Sequence, residues 1–183
     1  EPHMPFFGPL DREHSLDEVY LPANFADPLE ENEPLRYRLM REHCAQAYGR
    51  DEAAFKELTR KYWGLVTQVD HSVGQILTTL DELGLAEKTI VVFTSDHGDM
   101  MGSHKLVTKT MMYEESVRVP WLMRVPSIGR RQRVITTPVS HIDLVPTLLD
   151  LMGMSIPDRL QGQSLAPLIR GEKVAEDHVF VEW

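Results

Sequence analysis

Basic charge is scarce in this chain: 19 Lys and Arg face 28 Asp and Glu, a formal net charge of −9 over 183 residues. Without a surplus of cations there is no electrostatic means of displacing phosphate counterions, which excludes sequence-independent nucleic-acid binding. The imbalance is local. Residues 1–33 hold nine acids and a single base, Arg12, for a net −8, and the other 150 residues carry −1. Cysteine is almost absent, since Cys44 stands alone. It cannot close an intrachain disulfide, and no paired-Cys metal or redox motif exists, so both a cytoplasmic and a periplasmic or secreted location stay open. No run approaches the roughly 18 apolar residues of a membrane span, and the first residues show no charged-then-apolar signal pattern. Internal repeats and low-complexity tracts are also missing.

The 42% hydrophobic content suits a globular domain, and a chain of about 180 residues can bury roughly 70% of its unfolded surface. Residues 1–34 contain Pro2, Pro5, Pro9, Pro22, Pro28 and Pro34 without a sustained period, which predicts an ordered surface loop. Leu35 to Tyr48 are helix formers stopped by Gly49. Asp51 is placed to cap a longer helix, in which Phe55, Leu58, Tyr62, Leu65, Val69, Val73, Ile76, Leu80 and Leu83 form one apolar stripe ending at Gly84. Gly64 and Gly74 within it suggest close backbone packing. Thr89-Ile90-Val91-Val92-Phe93-Thr94 reads as a buried parallel strand, and helix followed by buried strand indicates an α/β fold. Val119 to Val125 reads as a second strand entered at Pro120, Arg133–Thr136 as a third, Ser140–Met152 as a helix and His178–Trp183 as a last strand.

The densest chemistry follows the first strand, at Thr94-Ser95-Asp96-His97-Gly98-Asp99. Ligands of open α/β sheets bind at the carboxyl ends of strands. Asp supplies a hard oxygen and neutral His a nitrogen, and the two can face one ion. His104, Lys105 and Lys109 come next, then Tyr113-Glu114-Glu115 and Arg118. A cation held near a metal by a loop returning to the same sheet suits a tetrahedral oxyanion such as sulfate or phosphate.

In that order the sequence resembles the sulfatases of the alkaline-phosphatase-like superfamily. The matching segments are Pro2-His3-Met4-Pro5-Phe6, Asp70-His71-Ser72-Val73-Gly74, Thr94-Ser95-Asp96-His97-Gly98, Gly102-Ser103-His104-Lys105-Leu106 through Lys109, Tyr113-Glu114 through Arg118-Val119-Pro120, and Asp143 through Leu149. The resemblance implies a partial alkaline-phosphatase-like sheet with flanking helices. It also implies that 1–183 are the C-terminal portion of a catalytic domain: an active-site and surface loop over 1–34, helices over 35–84 and the α/β sheet portion over 85–183. By position, Asp96 and His97 match metal ligands, most often for Ca2+, with Mn2+ or Mg2+ as alternatives. Lys109 matches the lysine that contacts sulfate, His3 matches a histidine that binds sulfate and protonates the leaving alcohol, and His104 is a further candidate substrate contact.

The family's nucleophile is a formylglycine made in a Cys/Ser-x-Pro-x-Arg motif. Cys44, followed by Ala45-Gln46-Ala47, does not match it. The resemblance therefore places that residue in a missing N-terminal part, and the isolated chain is expected to be inactive. Its expected partners are that missing part and a sulfate ester. The same residues also fit a phosphodiester or phosphonate monoester hydrolase. A non-catalytic interaction module using the acidic leader is the remaining alternative.

Overall fold

The computed structural model describes residues 6–28, 32–129, 132–174 and 178–181. They fall into two compact units, Glu1–Arg124 and Val125–Trp183.

In the first unit, α1 (Leu35–Tyr48) follows Pro34 and stops at Gly49, whose φ of 98° an L side chain rarely adopts. Helix α2 (Glu52–Glu82) starts where expected, with the Ala54 N–H donating to Asp51 Oδ1 at 2.8 Å. Such a cap contributes about 1 kcal/mol. Phe55, Thr59 and Gly64 are its buried positions. At Gly64 the Leu10 carbonyl oxygen lies 2.3 Å from where a Cβ would stand, so the leader crosses the helix in backbone contact. Gly74 does not share that role, because nothing among the described residues lies within 4 Å of its Cβ position.

Strands β1 (Val91–Thr94) and β2 (Trp121–Arg124) pair antiparallel, with Val91 opposite Arg124 and Thr94 opposite Trp121. This corrects the parallel, buried strand expected from the β-branched run. Phe93 is 38% exposed and its cross-strand partner Leu122 62% exposed. A continuous apolar run implies cover on both faces, whereas among the described residues this sheet has two strands.

The core instead forms around the segment that joins the strands. Leu106 and Val107 have no exposed surface, and Met100 and Met111 are 1% exposed. Val107 packs with Phe6 and Phe25 from the leader, Cys44 of α1 and Phe55 of α2. Met100, Leu106 and Met111 pack against Tyr37, Met40 and Tyr113. The 98–112 segment is thus held between leader and helices before α3 (Glu114–Val117) leads into β2. Cys44 is itself helical and buried, and burial pushes its thiol pKa up, which leaves it unreactive.

The second unit is built on α4 (Leu144–Leu151), entered through a tight turn at His141–Asp143, and on α5 (Ala166–Arg170). Ser140 and Asp143 form a reciprocal capping box, and Asp143 also accepts the Gln163 N–H at 2.9 Å. Buried Thr147 donates to the Asp143 carbonyl and accepts the Leu165 N–H. The strand expected at Arg133–Thr136 does not form, and Val134 is 83% exposed there. Residues 178–181 are likewise irregular, and Glu182 and Trp183 lie outside the described residues. A strand needs a neighbour to satisfy its backbone, and neither segment has a ladder among the described residues.

Candidate functional site

Asp96 and His97 sit just past the end of β1, on a turn shaped by their own polar groups. The Ser95 hydroxyl donates to the His97 carbonyl at 2.9 Å, and the His97 N–H donates to Asp96 Oδ1 at 3.0 Å. The His97 ring is oriented by its near nitrogen, with Nδ1 at 2.8 Å from the Gly98 carbonyl oxygen. A carbonyl only accepts, so Nδ1 carries a proton, and the neutral form of the ring keeps its lone pair on Nε2. Nε2 then lies 3.4 Å from Asp96 Oδ2. That is the spacing of two adjacent ligands on one cation with bonds of about 2.4 Å, and a backbone carbonyl behind the ring is the usual support of a ligating histidine. The donor set therefore fits a divalent cation. It is only part of a coordination shell, because no group of three or more His, Cys, Asp or Glu side chains converges among the described residues.

Gly98 locks this turn onto the next element. Its N–H donates to the Ser116 carbonyl at 2.8 Å, and a Cβ would stand 1.9 Å from the Glu115 carbonyl oxygen. The glycine is required for close approach to α3 rather than for an unusual φ.

Asp99, which sequence reasoning did not single out as a site residue, anchors the following segment. Its Oδ1 accepts the Met101 and Thr108 N–H groups, both at 3.0 Å. The Met100 N–H closes the same loop by donating to the Thr108 carbonyl at 2.8 Å. Burial pushes the Asp99 pKa up, while the two backbone donors and the charge of Lys109 act against it. One half-buried carboxylate therefore senses the charge of the predicted sulfate-binding lysine. Nothing in residue spacing reveals this anchor, because its partner is Thr108, across the loop.

The loop is strained. Met101, His104, Lys105, Thr108 and Thr110 all have positive φ, from 34° to 92°. Five non-glycine residues of that kind within ten positions are uncommon, and such strain clusters where structure serves function. Lys109 stands between two of them.

His104 lies deep in a polar cluster. Its ring stacks on Tyr113 with centroids 4.3 Å apart, Nε2 is 3.3 Å from Asn24 Nδ2, and Nδ1 is 3.4 Å from Asp27 Oδ2. The Asn24 amide nitrogen also donates to Glu115 Oε1 at 2.9 Å. Burial opposes ionisation of Glu115, yet hydrogen bonds from Asn24 and Ser103 hold its pKa below the ordinary carboxylate value. The Tyr113 hydroxyl donates to Glu33 at 2.8 Å, and burial together with that carboxylate pushes the phenol pKa up. His3, the remaining predicted site residue, lies outside the described residues.

Comparison with known proteins supplies an independent reading. Residues 11–154 match the family model described as Sulfatase. An arylsulfatase of Clostridium perfringens is 34% identical over 187 residues, covering 92% of this chain and 38% of its own length. A solved 2-O GAG sulfatase superposes with a TM-score of 0.78 at 31% identity, covering 96% of this chain and 37% of that one. A solved phosphonate monoester hydrolase from Silicibacter pomeroyi gives 0.65 at 31% identity, covering 94% and 29%. The chain thus spans well under half the length of these relatives.

Proposed function

Because the chain belongs to the sulfatase family, we propose that it supplies one part of a sulfuric ester hydrolase centre. The observation that carries this reading is the convergence of Asp96 Oδ2 and His97 Nε2 at 3.4 Å, with the ring proton held on the opposite nitrogen. Asp96 and His97 are the metal ligands in this reading. A divalent cation there, Ca2+ in preference to Mn2+ or Mg2+, would polarise the sulfate ester. Lys109 holds sulfate oxygens and offsets charge developing on the bridging oxygen. His3 delivers a proton to the departing alcohol. The attacking oxygen belongs to a formylglycine in the N-terminal part of the domain, so this chain alone does not turn over. That N-terminal part is its principal partner, and a sulfate ester is its substrate.

A second reading, hydrolysis of phosphonate monoesters or phosphodiesters, is favoured by the likeness to the Silicibacter pomeroyi phosphonate monoester hydrolase. One comparison separates the two: kcat/KM of the full-length protein for an aryl sulfate, a phosphodiester and a phosphonate monoester. Preference for the sulfate supports the first reading, and a strong preference for phosphorus overturns it. Hydrolysis by the pure 183-residue chain, rising with its concentration, contradicts the claim that the chain is inactive alone.

A further inference from the structure

We propose that His104 is a positioning residue for the Lys109 loop and that it does not contact substrate, an inference that rests on the sulfate-binding role given to Lys109. Asn24 fixes the orientation of the His104 ring. Its Nδ2 lies 2.9 Å from Glu115 Oε1, and Glu115 is held ionised by its surroundings. An ionised carboxylate only accepts, so the amide orientation is fixed with its nitrogen toward Glu115. The second amide hydrogen then meets His104 Nε2 at 3.3 Å, which must present a lone pair. The ring proton is left on Nδ1, the atom facing Asp27 Oδ2. The main chain of His104 is equally engaged: its N–H donates to the Asn24 carbonyl at 3.2 Å, and its carbonyl accepts from Arg41 Nε at 2.7 Å.

Each hydrogen-bonding atom of His104 is therefore turned toward the leader or α1, and one ring face is stacked on Tyr113. None remains to hold or protonate a sulfate ester. What the residue does is tie three segments together. Through Asn24 and Asp27 it fixes the leader, through the Asn24 amide it reaches Glu115 of α3, and through its own left-handed backbone, φ 53°, it holds the turn that leads to Lys109. Leu106 and Val107, fully buried, carry that restraint forward to Thr108 and its bond with Asp99. Displacing a charged group by about 1 Å can cost on the order of 100-fold in rate.

The test uses the full-length protein with an aryl sulfate as substrate, inorganic sulfate as competing probe, and the variants His104→Ala, His104→Asn, Lys109→Ala and the double His104→Ala/Lys109→Ala. Asparagine can donate from nearly the position of Nδ1 but cannot transfer a proton. His104→Ala should lower kcat/KM at least tenfold and weaken sulfate binding, His104→Asn should recover most of both, and His104→Ala should cost little more once Lys109 is gone. Equal damage from Asn and Ala, full activity of His104→Ala, or an undiminished effect in the Lys109→Ala background each overturns the proposal. Should Lys109→Ala alone leave sulfate binding intact, the prior reading of Lys109 fails instead. If His104→Ala does not fold, selective histidine 15N labelling of the wild type decides: a protonated Nδ1 with a bare Nε2 is expected, and a protonated Nε2 contradicts it.

Discussion

Gly98 is the residue whose role is most directly set by geometry. With the Glu115 carbonyl 1.9 Å from the place of a Cβ, even one methyl must push α3 away from the turn that carries Asp96 and His97. Gly98→Ala is expected to destabilise the full-length protein by about 2 kcal/mol and to weaken its metal binding, measured by thermal unfolding and calorimetry. Unchanged melting would show that the contact yields cheaply. Glu115 gives a prediction with a definite sign. A carboxylate held below its ordinary pKa contributes stability that is present above that value and disappears as pH falls through the depressed one. Glu115→Gln should therefore flatten the acid limb of the stability curve below about pH 4.5, as urea titrations across that range would record. The pairing of Asp96 with His97 was legible in the sequence because an apolar β-branched run ends immediately before it. The tautomer of His97 and the need for Gly98 were not, since both depend on the fold: the ring nitrogen on the Gly98 carbonyl, and a backbone carbonyl 17 residues downstream.

At the scale of elements, the helices were readable and the core was not. Capping by Asp51, the stop at Gly49 and the first turns of the α2 stripe follow from local rules that tertiary structure respected, whereas the stripe's far end does not pack, with Ile76 60% and Leu83 65% exposed. The buried centre could not be read the same way, because Leu106, Val107 and Met111 sit in an irregular segment with no period, beside lysines and threonines that signal a loop. Its burial follows from Asp99 at the base, which holds Thr108 across the loop, and from anchors distant in sequence, Arg41 and Asn24, at the tip. Thr110 marks the cost of this arrangement. It is β-branched, has φ 92°, and its buried hydroxyl has no hydrogen-bond partner among the described residues. Strain of this kind costs about 1–3 kcal/mol, against roughly 0.4–1 kcal/mol for the extra freedom a glycine gives the unfolded chain. Thr110→Gly should accordingly raise stability by about 1 kcal/mol while lowering sulfatase kcat, because the neighbouring Lys109 loses its restraint. A loss of stability in chemical denaturation would show that the strain is not there.

For the whole molecule, the decisive feature is how little of the site and of its cover this chain carries by itself. The two proposed metal donors converge with no third beside them among the described residues, and Phe93 and Leu122 leave an apolar sheet face exposed. Both fit a chain that spans 38% of an arylsulfatase relative. If the N-terminal part of the domain covers that face, Leu122→Asp should cost the full-length protein about 3 kcal/mol or more. A change within about 0.5 kcal/mol, the ordinary surface value, would leave the face to solvent. The central claim, that Asp96, His97 and Lys109 are this chain's share of a sulfate-ester hydrolysing centre, is tested most directly by one measurement. It is kcat/KM for an aryl sulfate in the full-length protein, compared between wild type and Lys109→Ala with Ca2+ supplied. The account predicts a loss of roughly 100-fold or more, the scale of removing one preorganised charge-stabilising group. Undiminished hydrolysis by Lys109→Ala would contradict it.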